Sequence, residues 1–245
     1  MSATLAELSS GELEVVGQLM DASNGSLLCR LQTDAELTQD QGDENAPLVI
    51  YKPRAGERPL WDFPDGTLSQ REVAAFVVAE SLGWSIVPPT VWREGPVGPG
   101  MVQLWVDIDE SVDLVALVQS DREALRRIAV FDALINNGDR KGGHLLPTVD
   151  GTIWGIDHGV SFAVDDKLRT VLWQWRGHAI PEPLVNDLRA WLVRMESGNS
   201  VLDILEGLLA PEEVDLLLRR GHQLVTDGRH PQPSPDWPAI PWPPF

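Results

Sequence analysis

The strongest constraint on the fold is a change of pattern near residue 107, from short strand-like segments to helical ones. Before it, "LEVVGQLM" and "SLLCRLQ" are joined by "DASNG" (Asp21 to Gly25), and an Asn-Gly pair between apolar runs indicates a hairpin. The run "PLVIYKP" predicts a buried strand, and "SIVPPTVWRE" and "GMVQLWVDI" predict two more around the turn "GPVGPG". The first part of the chain is therefore expected to form an antiparallel sheet.

One helix interrupts this sheet, and helices dominate the rest of the chain. In "TLSQREVAAFVVAESLGW", Ser69 can cap the helix and Glu72 lies in capping-box register. The segment "DREALRRIAVFDALINN" predicts a second helix, which Gly138 would end. After an expected hairpin at "LLPTVDGTIWGIDHG", three more segments have helical periodicity: "EPLVNDLRAWLVRM", "SVLDILEGLL" and "PEEVDLLLRRGHQLV". The fold class is predicted to be α+β, an antiparallel sheet with one helix followed by a mostly helical part.

The pattern divides the chain into three regions: 1–106, 107–228 and a Pro-rich tail at 229–245. The tail, "RHPQPSPDWPAIPWPPF", has too many prolines to form a helix. It is expected either to wrap the surface through its tryptophans and Phe245 or to be disordered.

Composition argues against several classes of partner. The formal net charge is −18 at pH 7, and no cluster of lysines and arginines is visible. Nucleic acid and anionic lipid are bound through such clusters, so neither a nucleic acid nor a membrane is expected as a partner. The sequence shows neither a bilayer-spanning apolar run nor a signal-peptide pattern, and the single Cys29 favours a buried thiol over a disulfide or Cys-based metal site. We expect a cytoplasmic protein.

Four polar side chains stand among apolar neighbours: Lys52, Glu72, Asp139 and Asp157. Alone, each has an ordinary explanation, such as a surface lysine, a capping glutamate or a turn aspartate. Asp139 follows a predicted helix end, where the helix dipole disfavours a negative charge unless Arg140 or a metal ion compensates it.

The order of these residues along the chain points to one site. Phosphoryl transfer needs a hairpin over the phosphates, a lysine to neutralise them and a carboxylate to hold that lysine. It also needs groups that orient the attacking oxygen and bind Mg²⁺. The chain supplies a Ser-Asn-Gly hairpin, then Lys52, Glu72, Asp139, His144 and Asp157 in that order.

The segment "FDALINNGDRKGGHLL", followed by "GIDHG", resembles the catalytic and metal-binding loops of atypical kinases related to phosphatidylinositol 3- and 4-kinases and to HipA-type toxin kinases. "VIYKP" and "REVAAFVVAESLGW" are similar to the segments that carry their nucleotide lysine and helix glutamate, and "MVQLWV" is similar to the strand that enters their hinge. The resemblance covers roughly residues 12 to 165. The arrangement is also similar to a family of actinobacterial proteins related to these kinases. The resemblance implies a bilobal protein-kinase-like fold and the use of ATP and Mg²⁺.

It also implies roles for individual residues. Lys52 would contact the α- and β-phosphates and pair with Glu72. Asp139 would be the catalytic aspartate, with Arg140 offsetting the charge around it, and Asp157 would be the main metal ligand. The phosphate-covering turn and the adenine-binding segment would be formed by Ser23, Asn24, Gly25 and Ser26, and by Gln103, Leu104, Trp105 and Val106.

The chain departs from the kinase pattern at three positions. His144 stands where the family has a metal-binding asparagine, Lys141 where the lipid kinases commonly have histidine, and His158 where phenylalanine follows the metal aspartate. Imidazole suits Mn²⁺ or Zn²⁺ better than Mg²⁺. The site is therefore expected to use Mg²⁺ or Mn²⁺, or to be inactive.

These observations lead to one main hypothesis and several alternatives. The main one is an ATP- and metal-dependent phosphotransferase whose acceptor is a protein or a soluble small molecule, and transfer of a nucleotidyl group stays open. The first alternative is a catalytically silent, nucleotide-binding pseudokinase. The second is a metal-dependent hydrolase with His144, His158, Asp139 and Asp157 at its site. This alternative does not explain the positions of Lys52 and Glu72.

Overall fold

The computed structural model describes residues 3–19, 25–32 and 46–245. Its first part contains a five-stranded antiparallel sheet in the order β1-β2-β3-β5-β4. The antiparallel sheet predicted from the sequence is therefore confirmed, while residues 20–24, within or beside the predicted "DASNG" turn, lie outside the described ranges. The strands are β1 (Glu12–Gln18), β2 (Leu27–Gln32), β3 (Leu48–Pro53), β4 (Thr90–Gly95) and β5 (Gly98–Leu104).

One face of this sheet is buried against a short helix that the sequence did not reveal. Alternate residues of a strand point to the same face, and Cys29 of β2 and Tyr51 of β3 both belong to this small core. Helix α1 (Leu5–Ser10) places Leu8 in the same core. Because α1 has only six residues, it is too short to show helical periodicity.

The glycines around the β4–β5 turn are required by packing as well as by the turn. Only residues 96 and 97 separate the two strands, so Gly98 and Gly100 belong to β5 and not to a long turn. The hydroxyl of Tyr51 donates to the carbonyl of Gly98 at 2.6 Å. A Cβ atom at Gly95 would lie 2.6 Å from the Tyr51 ring. A larger residue there would displace the ring, so the close approach explains the glycine.

Helix α2 (Leu68–Ser81) packs against β4 and β5 on one side and against the helical part on the other. The carboxylate of Glu57 accepts the backbone N–H groups of Leu68 and Ser69, at 3.0 and 2.8 Å. The predicted Ser69 cap is therefore wrong: Ser69 lies inside the helix, and its hydroxyl donates to Glu57 at 2.6 Å. This capping carboxylate precedes the helix by 11 residues, so it cannot be predicted from the residues next to the helix start.

The second part of the chain contains the predicted hairpin and is otherwise mostly helical. Helix α4 is capped at its C-terminus by Asn136, which adopts a left-handed φ of 52°, so the prediction that Gly138 caps this helix is wrong. Asparagine tolerates this conformation better than most residues, which explains why it can replace glycine here. The elements are α3 (Leu114–Val118), α4 (Glu123–Ile135), β6 (Leu145–Pro147), β7 (Ile153–Gly155), α5 (Glu182–Glu196), α6 (Ser200–Leu208) and α7 (Pro211–Asp227).

The Pro-rich tail lies along the helical part and contains no helix, as predicted. Thr170 donates its backbone N–H to the carbonyl of Ala239 at 3.1 Å, and Gly142 donates to Pro244 at 2.8 Å. Of the two expectations for the tail, the structure shows the one in which it wraps the surface. Among the helices in the described ranges, none is both long and apolar enough to cross a bilayer.

Candidate active site

The side chain of Lys52 lies at the centre of the site. It extends from the end of β3, and its Nζ is 2.5 Å from Oε1 of Glu72 and 3.0 Å from Oδ1 of Asp157. Burial by itself lowers the pKa of Lys52, but the carboxylates of Asp157 and Glu72 outweigh burial, so the pKa is raised. The lysine is therefore a fixed positive charge that joins the sheet, α2 and the segment after β7.

Asp157 ends that segment with a left-handed φ of 60°. Such a conformation is unusual outside glycine, asparagine and aspartate, and it turns the chain directly after β7. The positive charge of Lys52 lowers the pKa of Asp157 well below its usual range. Asp157 is therefore ionised throughout the physiological pH range and can act as a ligand for a cation.

His144 approaches Asp157 from the loop before β6. Its Nε2 lies 3.3 Å from Oδ2 of Asp157. Burial lowers the pKa of His144, so the imidazole is neutral at pH 7 and keeps a lone pair. Within the described ranges, no cluster of three or more His, Cys, Asp or Glu side chains is arranged to hold a metal ion. A metal ion here would have two protein ligands, His144 and Asp157, and its other ligands would come from substrate or water.

Asp139 follows α4 and is held by residues of its own loop. The side-chain carbonyl of Asn137 accepts the backbone N–H of Asp139 at 3.0 Å. Nζ of Lys141 lies 2.9 Å from Oδ2 of Asp139. The sequence singled out Lys141 only as a departure from the kinase pattern and did not single out Asn137.

The structure does not place Arg140 beside Asp139 as expected. Arg140 is completely buried, and its guanidinium pairs with the buried Asp132 at 2.9 Å. It also donates to the carbonyl of Ile156 at 2.8 Å, which precedes Asp157. The counter-charge of Asp139 is Lys141 instead, because the Arg140 side chain turns into the core. Arg140 can position the Asp157 segment but cannot touch a substrate.

His158 also points away from the site. Its ring is buried, lies edge-on to Phe131, and places Nε2 at 2.6 Å from Nη2 of Arg140. Its backbone N–H donates to Glu72 at 3.3 Å. The hydrolase alternative required His158 beside His144 and Asp139, and this geometry does not supply that arrangement.

A cavity of about 280 Å³, here called the sheet-side cavity, lies between the sheet and the β6–β7 hairpin. Ser26 faces it, and the buried Oγ of Ser26 has no hydrogen-bond partner among the described residues. Gly25 is next to this wall, whereas Ser23 and Asn24 fall outside the described ranges. The cavity is lined by Leu19, Ser26, Ile50, Lys52, Gln103, Leu104, Trp105, Val106, Ile108, His144, Leu146, Ile156 and Asp157.

The four residues predicted to form the adenine-binding segment all line this cavity, but their polar groups are not equally available. The amide of Gln103 donates to Thr90 at 2.8 Å. The backbone N–H of Leu104 donates to the carbonyl of Pro89 in the loop before β4, and that of Trp105 donates to the carbonyl of Leu48 in β3. Val106 makes no such bond within the described ranges, so its N–H can serve a ligand.

A second cavity of about 430 Å³, the tail-side cavity, lies on the other side of Asp157. Asp157 lines both cavities, and Asp139 lines only the second. The two cavities therefore meet at the carboxylate that is bound to Lys52.

Comparison with known proteins identifies one relative that covers nearly the whole chain. No protein-family model matches the chain. Protein Rv2133c of Mycobacterium tuberculosis is 38% identical to this chain, in an alignment that covers 98% of this chain and 95% of the mycobacterial protein. The chain belongs to the family of Rv2133c.

Two further matches connect this Rv2133c-family chain to kinases. Phosphatidylinositol 4-kinase gamma 4 of Arabidopsis thaliana is 25% identical, in an alignment that covers 64% of this chain but only 30% of the plant protein. The crystal structure of the Helicobacter pylori proinflammatory kinase CtkA aligns with a TM-score of 0.51 at 13% identity, covering 90% of this chain and 94% of that one. The chain therefore has a bilobal kinase-like fold, as predicted, and the plant match supports a kinase-like relationship. The roles of individual residues, and the closer branch suggested by the sequence, stay predictions.

Proposed function

We propose that this Rv2133c-family protein is an ATP-dependent phosphotransferase that needs a divalent metal ion. One observation carries the proposal: Nζ of Lys52 is held by Glu72 and Asp157 at the point where two cavities meet. A fixed cation between the buried carboxylate of Glu72 and the partly exposed carboxylate of Asp157 is suited to neutralise phosphate groups that arrive from one cavity.

In this proposal the sheet-side cavity holds ATP. Its apolar wall and the N–H of Val106 would hold the adenine ring, and Oγ of Ser26 would donate to a phosphate. A buried hydroxyl without a partner is costly, and a phosphate oxygen would satisfy it. Ser23, Asn24 and Gly25 remain part of the predicted phosphate cover. Residues 1–106 would form the lobe over the nucleotide, and residues 107–228 the lobe with the catalytic and metal loops.

The donor set at Asp157 and His144 fits a small divalent ion. A carboxylate and a neutral imidazole face each other at 3.3 Å, and this mixed pair suits Mn²⁺ better than Mg²⁺. When bound, such an ion neutralises charge on the phosphates. Asp139 would accept the proton of an acceptor hydroxyl, and its ion pair with Lys141 at 2.9 Å would hold the carboxylate in position. Arg140 acts through the main chain of the Asp157 segment.

Ligand-induced thermal shifts test this proposal. ATP with Mg²⁺ or Mn²⁺, at a concentration about 100-fold above Kd, should stabilise the protein by about 2.7 kcal/mol. For a chain of this size, that stabilisation corresponds to a rise in Tm of roughly 5–10 °C. Asp157→Asn, which tolerates the same φ, should lose the metal-dependent part of the shift. Asp150→Asn, in the turn of the same hairpin, is the matched control and should keep it. No metal-dependent shift in the wild type would refute the proposal.

The pseudokinase is the second candidate, and His144 is the observation that favours it. It predicts the same ATP-induced shift without turnover. The two candidates separate on Asp139→Asn. In a phosphotransferase this variant should still bind ATP, but it should turn ATP over to ADP at least about 100-fold more slowly than the wild type, as expected when a general base is lost. If the wild type and Asp139→Asn both bind ATP and neither releases ADP, the protein is a nucleotide-binding pseudokinase.

A further inference from the structure

The tail-side cavity has walls from three distant parts of the chain. The loop before α2 contributes Trp61, the loop after α4 contributes Asp139, and the C-terminal tail contributes Trp242. Its volume of about 430 Å³ falls in the range of small-molecule sites. The charged side chains that line it include Asp62, Glu72, Asp139, Asp157 and Arg169.

The tail is bound firmly enough to form a wall. Its end is fixed to the loop after Asp139 by the hydrogen bond from Gly142 to Pro244, and the ring of Phe245 packs so closely on Gly142 that no Cβ atom fits there. Further back, the indole N–H of Trp173 donates to the carbonyl of Ala239 at 2.7 Å. These contacts place the indole of Trp242 at the cavity while leaving it 85% exposed.

The carboxylates of the cavity already have cationic partners inside the protein. Asp62 pairs with Lys167 at 2.7 Å, and Asp139 pairs with Lys141 at 2.9 Å. Glu72 and Asp157 both pair with Lys52. The acidic groups of this cavity are therefore largely neutralised, although the chain as a whole carries a charge of −18.

Arg169 adds a cation that these carboxylates do not neutralise. Its Nε is buried and has no hydrogen-bond partner within the described ranges. Its backbone is fixed by the N–H bond to the carbonyl of Asn137 and by the carbonyl that accepts from Arg140. A guanidinium fixed at its base, beside the loop that carries Asp139, is suited to bind phosphate or carboxylate oxygens.

We propose that the tail-side cavity is the acceptor site, and that the acceptor is a small anionic compound carrying a hydroxyl group, such as a phosphate monoester of a polyol or sugar. This inference rests on the proposed phosphotransferase function. Arg169 binds the anionic group, Trp61 and Trp242 contact the carbon skeleton, and the hydroxyl points to Asp139. The hydroxyl oxygen forms a bond to the γ-phosphorus of ATP, and the bond from that phosphorus to the bridging oxygen breaks. ADP leaves with the electron pair, and the hydroxyl proton passes to Asp139.

Calorimetry in the presence of Mg²⁺ and a non-hydrolysable ATP analogue tests the acceptor site. The probes are glycerol 3-phosphate and glucose 6-phosphate, each beside its neutral parent compound. Wild type should bind the phosphates and not the parents. Arg169→Met should weaken phosphate binding about 10- to 100-fold, the loss expected for a charge-assisted hydrogen bond, and Arg169→Lys should recover part of it. Arg189→Met, on the exposed face of α5, is the control and should bind as wild type.

Other outcomes overturn the inference. It fails if neither phosphate binds, if neutral parents bind equally, or if Arg169→Met binds as wild type. It also fails if γ-labelled phosphate passes only to a protein or to vesicles that contain phosphatidylglycerol. Because the ATP-induced thermal shift is measured on the same samples, its presence separates a wrong acceptor site from a wrong proposed function.

Discussion

A buried ion pair ties α2 to the helical lobe next to the residue that holds Lys52. Arg71 precedes Glu72 in the chain, and its Nη2 lies 2.5 Å from Oε1 of Glu213 in α7. Its Nη1 donates to the carbonyl of Ser161 at 2.8 Å, and its guanidinium lies 4.7 Å above the ring of Phe63. Both charged side chains are buried, so the pair links α2, the segment after Asp157 and α7 without help from solvent.

Arg71→Met should destabilise the protein strongly. The substitution leaves the Glu213 carboxylate buried, with the backbone N–H of Ala210 still donating to it at 2.9 Å. Removing one partner of a buried pair costs about 3–5 kcal/mol. Arg71→Met/Glu213→Met removes both charges at similar volume, and it should recover most of that loss. In a chain of this length the single substitution should lower Tm by roughly 6–20 °C.

Denaturant unfolding of the wild type, both single variants and the double variant measures the coupling free energy. The ATP-induced thermal shift of each variant then reports on the site, because α2 carries Glu72. We expect Arg71→Met to weaken ATP binding, since a displaced α2 withdraws Glu72 from Lys52. Additive effects, with the double variant as unstable as the sum of the singles, would refute the reasoning. So would an Arg71→Met variant with the stability of the wild type.

Two further predictions concern stability. Burial, helped by the positive charge of Arg126 and by His178, lowers the pKa of His230 to about 4. The unfolded chain binds this proton near pH 6.5 and the folded chain does not, so stability should be complete above pH 6.5 and fall by up to about 3 kcal/mol toward pH 4. Unfolding at several pH values should show a flatter profile for His230→Gln; an unchanged profile would contradict the assignment. Asn136→Ala loses the hydrogen bonds of its side chain to the main chain of residues 163–167 and is forced into a left-handed φ, so it should cost about 3 kcal/mol or more. Asn136→Gly relieves only the backbone strain and should be intermediate by the same measurement; equal losses would show that the φ angle contributes nothing.

The secondary structure could be predicted where the pattern is local. Alternating apolar residues indicated the strands, and apolar spacing indicated α2 and α4 through α7. The ends of helices were less visible. The Glu57 cap of α2 is distant in the chain, and Asn136 ends α4 because its side chain also binds the segment that follows Asp157. Neither interaction leaves a pattern in neighbouring residues.

The candidate site was predicted as an ordered set of residues and not as an arrangement. The order of Lys52, Glu72, Asp139 and Asp157 singled them out, and the structure brings Lys52, Glu72 and Asp157 into contact. It also separates Arg140 from Asp139, although they are adjacent in sequence.

The sequence alone therefore determined the order of the elements and the chemical types available for a site. Only the tertiary structure decided which charges pair, because Lys52 and Asp157 lie 105 residues apart and Arg71 and Glu213 lie 142 residues apart. Pairing depends on burial: once Arg140 turns into the core, it pairs with the carboxylate buried there, and Asp139 is left to Lys141. The tail is the clearest case, since proline content excluded a helix but only packing on Gly142 brought Trp242 to the cavity beside Asp139.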